Sequence, residues 1–144
     1  MKIGFASDHA GFELKEFIKS FITQKGYACK DFGTYTIDSC DYPDYAHPLA
    51  EAVETGDVDW GIALCGSGNG IGMTLNKHQG IRAAICWNVE MTRLTRTHND
   101  ANILVLPARF ISREEAIEMT DLFLNTSFED GRHQRRIEKI PLKQ

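Results

Sequence analysis

Short apolar runs and helically spaced apolar positions alternate from the start of the chain. Lys2–Ser7 has the apolar run of a buried strand, and the next apolar residues recur every three or four positions, which predicts a helix that ends at Gly26. Four more short apolar runs predict strands at 28–32, Trp60–Cys65, 81–86 and 103–106.

Helical patterns fill the intervals between these strands. Pro43 stands where a helix begins and Gly56 where that helix ends. Further helices are predicted in a segment that ends near Lys77, at 89–97 and at 113–124, followed by a basic segment at 132–139.

This regular alternation predicts a parallel sheet that is covered by helices on both faces. We therefore expect an α/β fold: a single doubly wound, Rossmann-like three-layer sandwich with a five-stranded parallel sheet. The expected strand order is 2-1-3-4-5. One domain would occupy residues 1–144, with a C-terminal basic helical tail at about 126–144.

Charge and cysteine content argue against several classes of protein. The chain of 144 residues has a formal net charge of −4 at pH 7, unlike most nucleic-acid-binding proteins. It has no apolar run of about eighteen residues, and a strand begins at once, so we expect neither a membrane span nor a signal peptide. The cysteines form no C-x-x-C pair, which suits reduced thiols in a cytoplasmic protein: Cys29, Cys40, Cys65 and Cys86.

Two loops should meet at one edge of such a sheet. In doubly wound folds, ligands bind beyond the carboxyl ends of the strands where the strand order reverses, here between strands one and three. The loops at 8–11 and 65–72 follow those two strands. Asp8 could bind sugar hydroxyls or simply cap the following helix, and His9 could bind a phosphate.

The glycine-rich loop after strand three matches neither common nucleotide-binding pattern. A dinucleotide fingerprint beginning at Gly66 would need glycine where Ile71 stands, and the chain lacks the Gly-Lys-Ser/Thr tripeptide of a P-loop. Such a loop can present backbone N–H groups to an oxyanion that develops during a reaction, or it can serve only as a tight turn.

Cysteine, histidine and arginine side chains could complete a site. Cys65 ends strand three, where a thiol can act as a base or can be an inert buried residue. The polar segment 98–102 lies by topology at the amino end of strand five, away from the crevice. Arg132 and Arg136 would share a helical face that could clamp a phosphate. Segment 98–102 and these arginines are therefore either solvated surface or parts of a second subunit's site.

The chain resembles the type B ribose-5-phosphate isomerase family, which also contains galactose-6-phosphate and allose-6-phosphate isomerases. The resemblance runs from the start of the chain almost to its end. The stretches that carry it are Ser7-Asp8-His9-Ala10-Gly11, Asp41-Tyr42-Pro43, Cys65-Gly66-Ser67-Gly68, Asn76-Lys77, Gly80-Ile81-Arg82-Ala83, His98-Asn99-Asp100-Ala101-Asn102 and Gly131-Arg132-His133.

The resemblance implies an aldose–ketose isomerase that interconverts ribose 5-phosphate and ribulose 5-phosphate through an enediolate. Cys65 would be the base, Ser67 would assist proton transfer at the oxygens, and His98 would open the furanose ring. The backbone of the loop would hold the enediolate, through Gly66, Gly68, Asn69, Gly70 and Gly72.

The remaining residues implied by the resemblance bind the sugar or its phosphate. Asp8, Tyr42 and Asn99 would hold the sugar, and His9, Arg109, Arg132 and Arg136 would hold the phosphate. The resemblance also implies a homodimer, which could pair further into a tetramer. His98 and some of the arginines would then act across the interface, because each site would be built from two subunits.

The chemistry of this reaction limits the partners that it needs. Proton transfer beside a carbonyl needs a base, an oxyanion site and a group for ring opening, but no redox cofactor and no metal. We therefore expect a phosphorylated sugar as the substrate and no cofactor, metal, nucleic acid or membrane partner.

Two alternatives differ in substrate or in class. One is an isomerase of a six-carbon sugar phosphate, allose 6-phosphate or galactose 6-phosphate. The galactose-6-phosphate relatives are built from two different subunits, whereas this chain carries every implied site residue, which favours the pentose. The other is a flavodoxin-like binding or signalling domain, but Asp8 lacks the acidic neighbours that a signalling receiver needs.

Overall fold

A computed structural model describes residues 1–142 of the chain. Its five strands are β1 (Lys2–Ser7), β2 (Ala28–Asp31), β3 (Trp60–Cys65), β4 (Ala83–Ile85) and β5 (Ile103–Pro107). Its helices are α1 (Phe12–Gln24), α2 (Pro43–Thr55), α3 (Asn69–Leu75), α4 (Val89–Thr97), α5 (Arg113–Asn125) and α6 (Arg132–Ile137). All the strand pairs are parallel, so the predicted doubly wound α/β fold is confirmed.

The sheet order is β2-β1-β3-β5-β4, so the expected order of the last two strands was wrong. β5 pairs with both β3 and β4 and lies inside the sheet. All five residues of β5 are buried, whereas the three residues of β4 are only partly buried, so burial favours β5 in the interior. The reversal of strand order between β1 and β3 is as expected.

Local sequence signals set the ends of the helices where they were predicted. Gly26 follows α1 with φ of 97°, and Gly56 follows α2 with φ of 82°. Glycine adopts this left-handed conformation without strain and so ends a helix. α5 begins with a capping box in which Ser112 and Glu115 each accept a hydrogen bond from the other's backbone N–H.

Apolar layers cover both faces of the sheet. α1, α4 and α5 pack on one face, where Phe5, Ile62 and Phe123 are fully buried. α2 and α3 pack on the other face through Leu49 and Ile71. Each such side chain contributes about 1.5–3 kcal/mol to the stability of the fold when it is buried. The sheet is therefore stable and holds the loops that follow its strands in fixed positions.

A buried ion pair fixes the segment that follows β2. The ammonium group of Lys15 is fully buried and donates to both carboxylate oxygens of Asp31 and to the carbonyl of Thr34, each at 2.7 Å. Burial alone would raise the pKa of Asp31, but hydrogen bonds from Lys15 and Lys19 lower it below its ordinary value. The start of the connection from β2 to α2 is thereby tied to α1.

The C-terminal part of the chain forms the short helix α6. This helix lies within the predicted basic tail, and its Ile137 is buried against the fold. Residues 143 and 144 of that predicted tail lie outside the described residues. Within residues 1–142, no helix is both long enough and apolar enough to cross a membrane.

Candidate active site

A cavity of about 490 Å³ opens beyond the carboxyl ends of β1 and β3, in the crevice where the strand order reverses. Its size suits a small metabolite. Eight of its ten lining residues were predicted from the sequence. The lining consists of Asp8, His9, Ala10, Tyr42, Cys65, Gly66, Ser67, Gly70, Arg109 and Phe110.

The loop between β3 and α3 presents free backbone N–H groups. Within residues 1–142, no acceptor pairs with the N–H of Gly66, Ser67 or Gly68. Gly68 has φ of 79°, a conformation that favours glycine, and its side-chain position is closed by Ile85 at 3.3 Å. The loop is therefore held in one shape and offers donors beside the cavity.

Some predicted loop residues lie away from the cavity. The N–H of Gly72 donates to the carbonyl of Gly68 at 3.0 Å and is thereby engaged in the first turn of α3. Asn69 lines a neighbouring depression with Trp87, and its backbone N–H donates to the hydroxyl of Ser67 at 3.2 Å. The cavity is therefore formed by the part of the loop nearest to Cys65.

Cys65 is the last residue of β3 and lies at the floor of the cavity. Its side chain is free, and the residue is only 4% exposed. Its carbonyl accepts the N–H of Ala108 at 2.9 Å, which fixes the backbone where the strand ends. Cys86 differs, because it lines no described cavity and burial raises the pKa of its thiol.

Asp8 and His9 are held by the backbone and face the cavity. One carboxylate oxygen of Asp8 accepts the N–H groups of Ala10 and Gly11, at 3.0 and 3.2 Å. The other oxygen accepts no hydrogen bond in the described part of the chain. His9 Nδ1 accepts the N–H of Cys40 at 3.3 Å, which leaves its Nε2 as the N–H donor. Asp8 thus stabilises the turn and still offers one oxygen to a ligand.

The ring of Tyr42 lies directly over Gly70. A β-carbon at Gly70 would come within 2.4 Å of Tyr42 Cζ and 2.7 Å of its hydroxyl. Only glycine therefore allows Tyr42 to lie at this wall of the cavity. Tyr42 is 36% exposed, so it is not part of the apolar core.

Arg109 reaches the cavity because β5 lies beside β3. Cys65 pairs with Pro107, and the N–H of Arg109 donates to the carbonyl of Gly66 at 3.0 Å. The guanidinium covers Gly66, where a β-carbon would be 3.2 Å from one of its nitrogens. No acidic side chain pairs with Arg109 among the residues that the structure describes, so its charge is available to an anion.

Four predicted site residues lie on the opposite side of the sheet, where the amino ends of the strands are. His98 and Asn99 precede β5, and Arg132 and Arg136 belong to α6. The five residues of β5 span about 13 Å, so the amino end that His98 precedes is far from the edge where Cys65 lies. One chain therefore does not bring these two groups of residues together.

These residues surround a second pocket, of about 270 Å³. It is lined by His98, Asn99, His133, Arg136, Ile137 and Ile140. Arg132 stands at the start of α6, and across residues 1–142 neither it nor Arg136 forms a salt bridge. Two unpaired guanidinium groups close to this pocket suit a phosphate.

His133 was not predicted as a site residue, although it stands in the Gly131-Arg132-His133 stretch. Its ring stacks on that of His98, with 4.3 Å between centroids and 14° between planes. Burial, His98 and Arg132 lower the pKa of His133. Donor atoms of His98, Glu129 and His133 lie within 4.8 Å of one another, so these three side chains could hold a metal ion. Arg132 and Arg136 lie close enough to act on His133, and their positive charges disfavour a cation and favour an anion at this place.

Comparison with known proteins identifies the family of the chain. The sequence model of the family described as Ribose/Galactose Isomerase matches residues 3–140. The chain belongs to that family. Within the ribose/galactose isomerase family, it is 42% identical over 139 residues to ribose-5-phosphate isomerase B of Escherichia coli, an alignment that covers 96% of this chain and 93% of the relative. The resemblance to type B enzymes is thereby confirmed.

Solved structures of the family have the same fold. Ribose 5-phosphate isomerase of Thermotoga maritima superposes with a TM-score of 0.96 at 51% identity, over 97% of each chain. Ribose-5-phosphate isomerase B of Mycoplasma genitalium, solved with bound ribulose 5-phosphate, superposes with a TM-score of 0.92 at 42% identity, over 96% of this chain and 93% of that one.

Proposed function

We propose that this chain is an aldose–ketose isomerase that interconverts ribose 5-phosphate and ribulose 5-phosphate. Family membership supports this reaction, and so does the relative that was solved with bound ribulose 5-phosphate. The observation that carries the proposal is the position of Cys65, on the floor of a cavity beside free backbone N–H groups. A base beside an oxyanion site is the arrangement that proton transfer next to a carbonyl requires.

Cys65 is the base in this proposal. Its thiolate takes the proton from C2 of the open-chain aldose, and the electrons move onto the carbonyl oxygen to give the enediolate. The proton then returns to C1, which gives the ketose. The N–H groups of Gly66, Ser67 and Gly68 stabilise the enediolate, and Gly70 lines the same cavity. The hydroxyl of Ser67 assists proton transfer between the two oxygens of the enediolate.

The other cavity residues bind the substrate. Asp8 offers its free carboxylate oxygen to sugar hydroxyls, and Tyr42 closes the wall beside it. His9 donates from Nε2, and Arg109, with which no acidic side chain pairs within residues 1–142, supplies a positive charge, so both suit the phosphate. These assignments place sugar and phosphate binding around the Cys65 thiol.

Each complete site is built from two subunits in this proposal. A homodimer, which could pair further into a tetramer, would place the His98 pocket of one chain over the Cys65 cavity of the other. His98 then opens the furanose ring by acid–base catalysis, Asn99 orients the sugar, and Arg132 and Arg136 bind the phosphate. A two-fold axis would make two identical sites, because each chain supplies both halves.

Exposed apolar residues at both half-sites support this arrangement. Phe110 is 73% exposed and lines the Cys65 cavity, and Ile140 is 55% exposed and lines the His98 pocket. Large apolar side chains at the rims of two incomplete polar pockets are typical of an interface. We further expect that residues 1–144 form one isomerase domain and that its four free cysteines reflect a cytoplasmic location.

The test of this proposal is isomerase activity of the wild-type chain and of Cys65→Ala. Loss of the base should lower kcat for ribose 5-phosphate by at least about a hundredfold. Cys29→Ala is the matched control, because Cys29 is a partly buried cysteine on β2 outside the cavity, and it should keep wild-type kcat. A Cys65→Ala enzyme with near-normal kcat would overturn the assignment of the base.

A further inference from the structure

Arg82 and Arg96 hold the segment that carries His98 from two sides. Neither arginine lines the Cys65 cavity or the His98 pocket, so neither is expected to touch the substrate. Both make their contacts with the turn from His98 to Asn102, which joins α4 to β5.

Asp100 is the residue that both arginines bind. It has φ of 46°, a left-handed conformation that glycine usually supplies at the end of a helix. Arg96 donates to Asp100 Oδ1 at 2.7 Å, and Arg82 donates to the carbonyl of Asp100 at 2.9 and 3.1 Å. The carboxylate of Asp100 thus binds Arg96 on one side of the turn, and its backbone carbonyl binds Arg82 on the other.

Arg96 connects this turn to the interior of the fold. It is 4% exposed, and its guanidinium lies 4.2 Å from the ring centroid of Trp60 at the start of β3. It also donates to the carbonyls of Ala101 and Thr126, at 2.8 and 3.0 Å. The position of Asp100 is therefore set by β3 and by the end of α5, not by the loop alone.

Arg82 holds the same turn from the side of β4. Its Nε donates to the carbonyl of Asn99 at 3.1 Å, and its backbone N–H donates to the side chain of Asn102 at 2.8 Å. Asn102 in turn donates to the carbonyl of Gly80 at 2.9 Å. His98 and Asn99 thus lie between two fixed points, one at the end of α4 and one at the start of β5.

We propose that Arg82 and Arg96 are positioning residues for His98. This inference rests on the proposed function, in which His98 opens the sugar ring. A catalytic group that shifts by about 1 Å can lose about a hundredfold in rate, so a rigid turn is needed if His98 is to reach into another subunit's cavity. The hydrogen bonds that Arg82 and Arg96 donate to Asp100 provide that rigidity.

The experiment is a double-mutant cycle on kcat for ribose 5-phosphate. Arg82→Gln should lower kcat about tenfold or more in the wild-type background and by a clearly smaller factor in His98→Ala, where only the position of Asn99 is still affected, because residues that act as a unit are not additive. Arg82→Lys should recover part of the loss. Asp100→Gly, which permits the left-handed turn but removes the Arg96 contact, should behave as Arg82→Gln does.

Arg93→Lys is the matched control, because Arg93 is an exposed arginine of α4 whose side chain, within residues 1–142, pairs only with Glu90 of the same helix, and it should keep wild-type kcat. Equal losses from Arg82→Gln in both backgrounds would show a general structural role and overturn the inference alone. An inactive wild-type chain would instead overturn the proposed function, and a fully active His98→Ala enzyme would overturn both the ring-opening assignment and this inference.

Discussion

Replacement of Gly70 by alanine should separate activity from stability. The added β-carbon would lie 2.4 Å from Tyr42 Cζ, about 1 Å closer than an ordinary carbon–carbon contact, so the ring must move by about that distance. Tyr42 can do so because it is 36% exposed and is the N-cap residue of α2 rather than part of the core. The substitution therefore moves a wall of the cavity and leaves the fold intact.

The substitution should lower the activity without lowering the stability. Alanine is favoured over glycine in a helix by up to about 1 kcal/mol, so the free energy of unfolding should stay level or rise slightly. A binding residue displaced by about 1 Å should lower kcat/KM for ribose 5-phosphate by about tenfold to a hundredfold. Urea unfolding and an isomerase assay on the same preparations measure the two effects.

Two further variants make this test specific. Met73→Ala changes an exposed residue of the same helix and should leave kcat/KM unchanged. In a Tyr42→Ala background, Gly70→Ala should cost less than about twofold, because the residue that it displaces is absent. A Gly70→Ala enzyme with wild-type kcat/KM, or one that loses as much activity without Tyr42, would refute the reasoning.

Three other predictions concern stability, thiol reactivity and substrate choice. Asp31→Asn removes the carboxylate that pairs with the fully buried Lys15 and should lower the free energy of unfolding by about 3 kcal/mol at pH 7. Because folding lowers the pKa of Asp31, the extra stability of the wild type should be lost as the pH falls below about 4. Equal urea midpoints for the two proteins at pH 7 would contradict this prediction. Iodoacetamide should label Cys65, which lines an open cavity, at a rate that ribose 5-phosphate slows. Cys86 lines no described cavity and burial raises the pKa of its thiol, so it should stay unlabelled in the native protein, as mass spectrometry would show. The kcat/KM for ribose 5-phosphate should exceed that for allose 6-phosphate, and faster turnover of the hexose would overturn the choice of substrate.

The sequence predicts those parts of the fold that depend on local signals. Gly26 and Gly56 end helices at the predicted residues, since a left-handed turn is encoded by the glycine itself. The order of β4 and β5 is not local, because it depends on which strand can be buried on both sides. The predicted strand at 81–86 is shortened to Ala83–Ile85, as expected for a partly buried strand at the edge of the sheet.

The same division holds for the candidate site. Asp8 directly follows β1 and Cys65 ends the neighbouring β3, so topology alone predicts that they meet. The sequence also predicts that His98 lies at the amino ends of the strands, away from Cys65. The close fit of Tyr42 on Gly70 and the stacking of His133 on His98 depend on packing between distant segments, and no spacing along the chain encodes them.

The most direct test of the central claim mixes two inactive variants. Cys65→Ala and His98→Ala subunits each lack one group that the isomerase site needs. If the site is shared between subunits, a mixed dimer contains one site with both groups intact, and equal mixing with full exchange should restore about a quarter of wild-type activity. If each chain uses its own Cys65 and His98, no mixed dimer has a complete site, and activity that stays at the level of the separate variants after verified exchange would contradict the account.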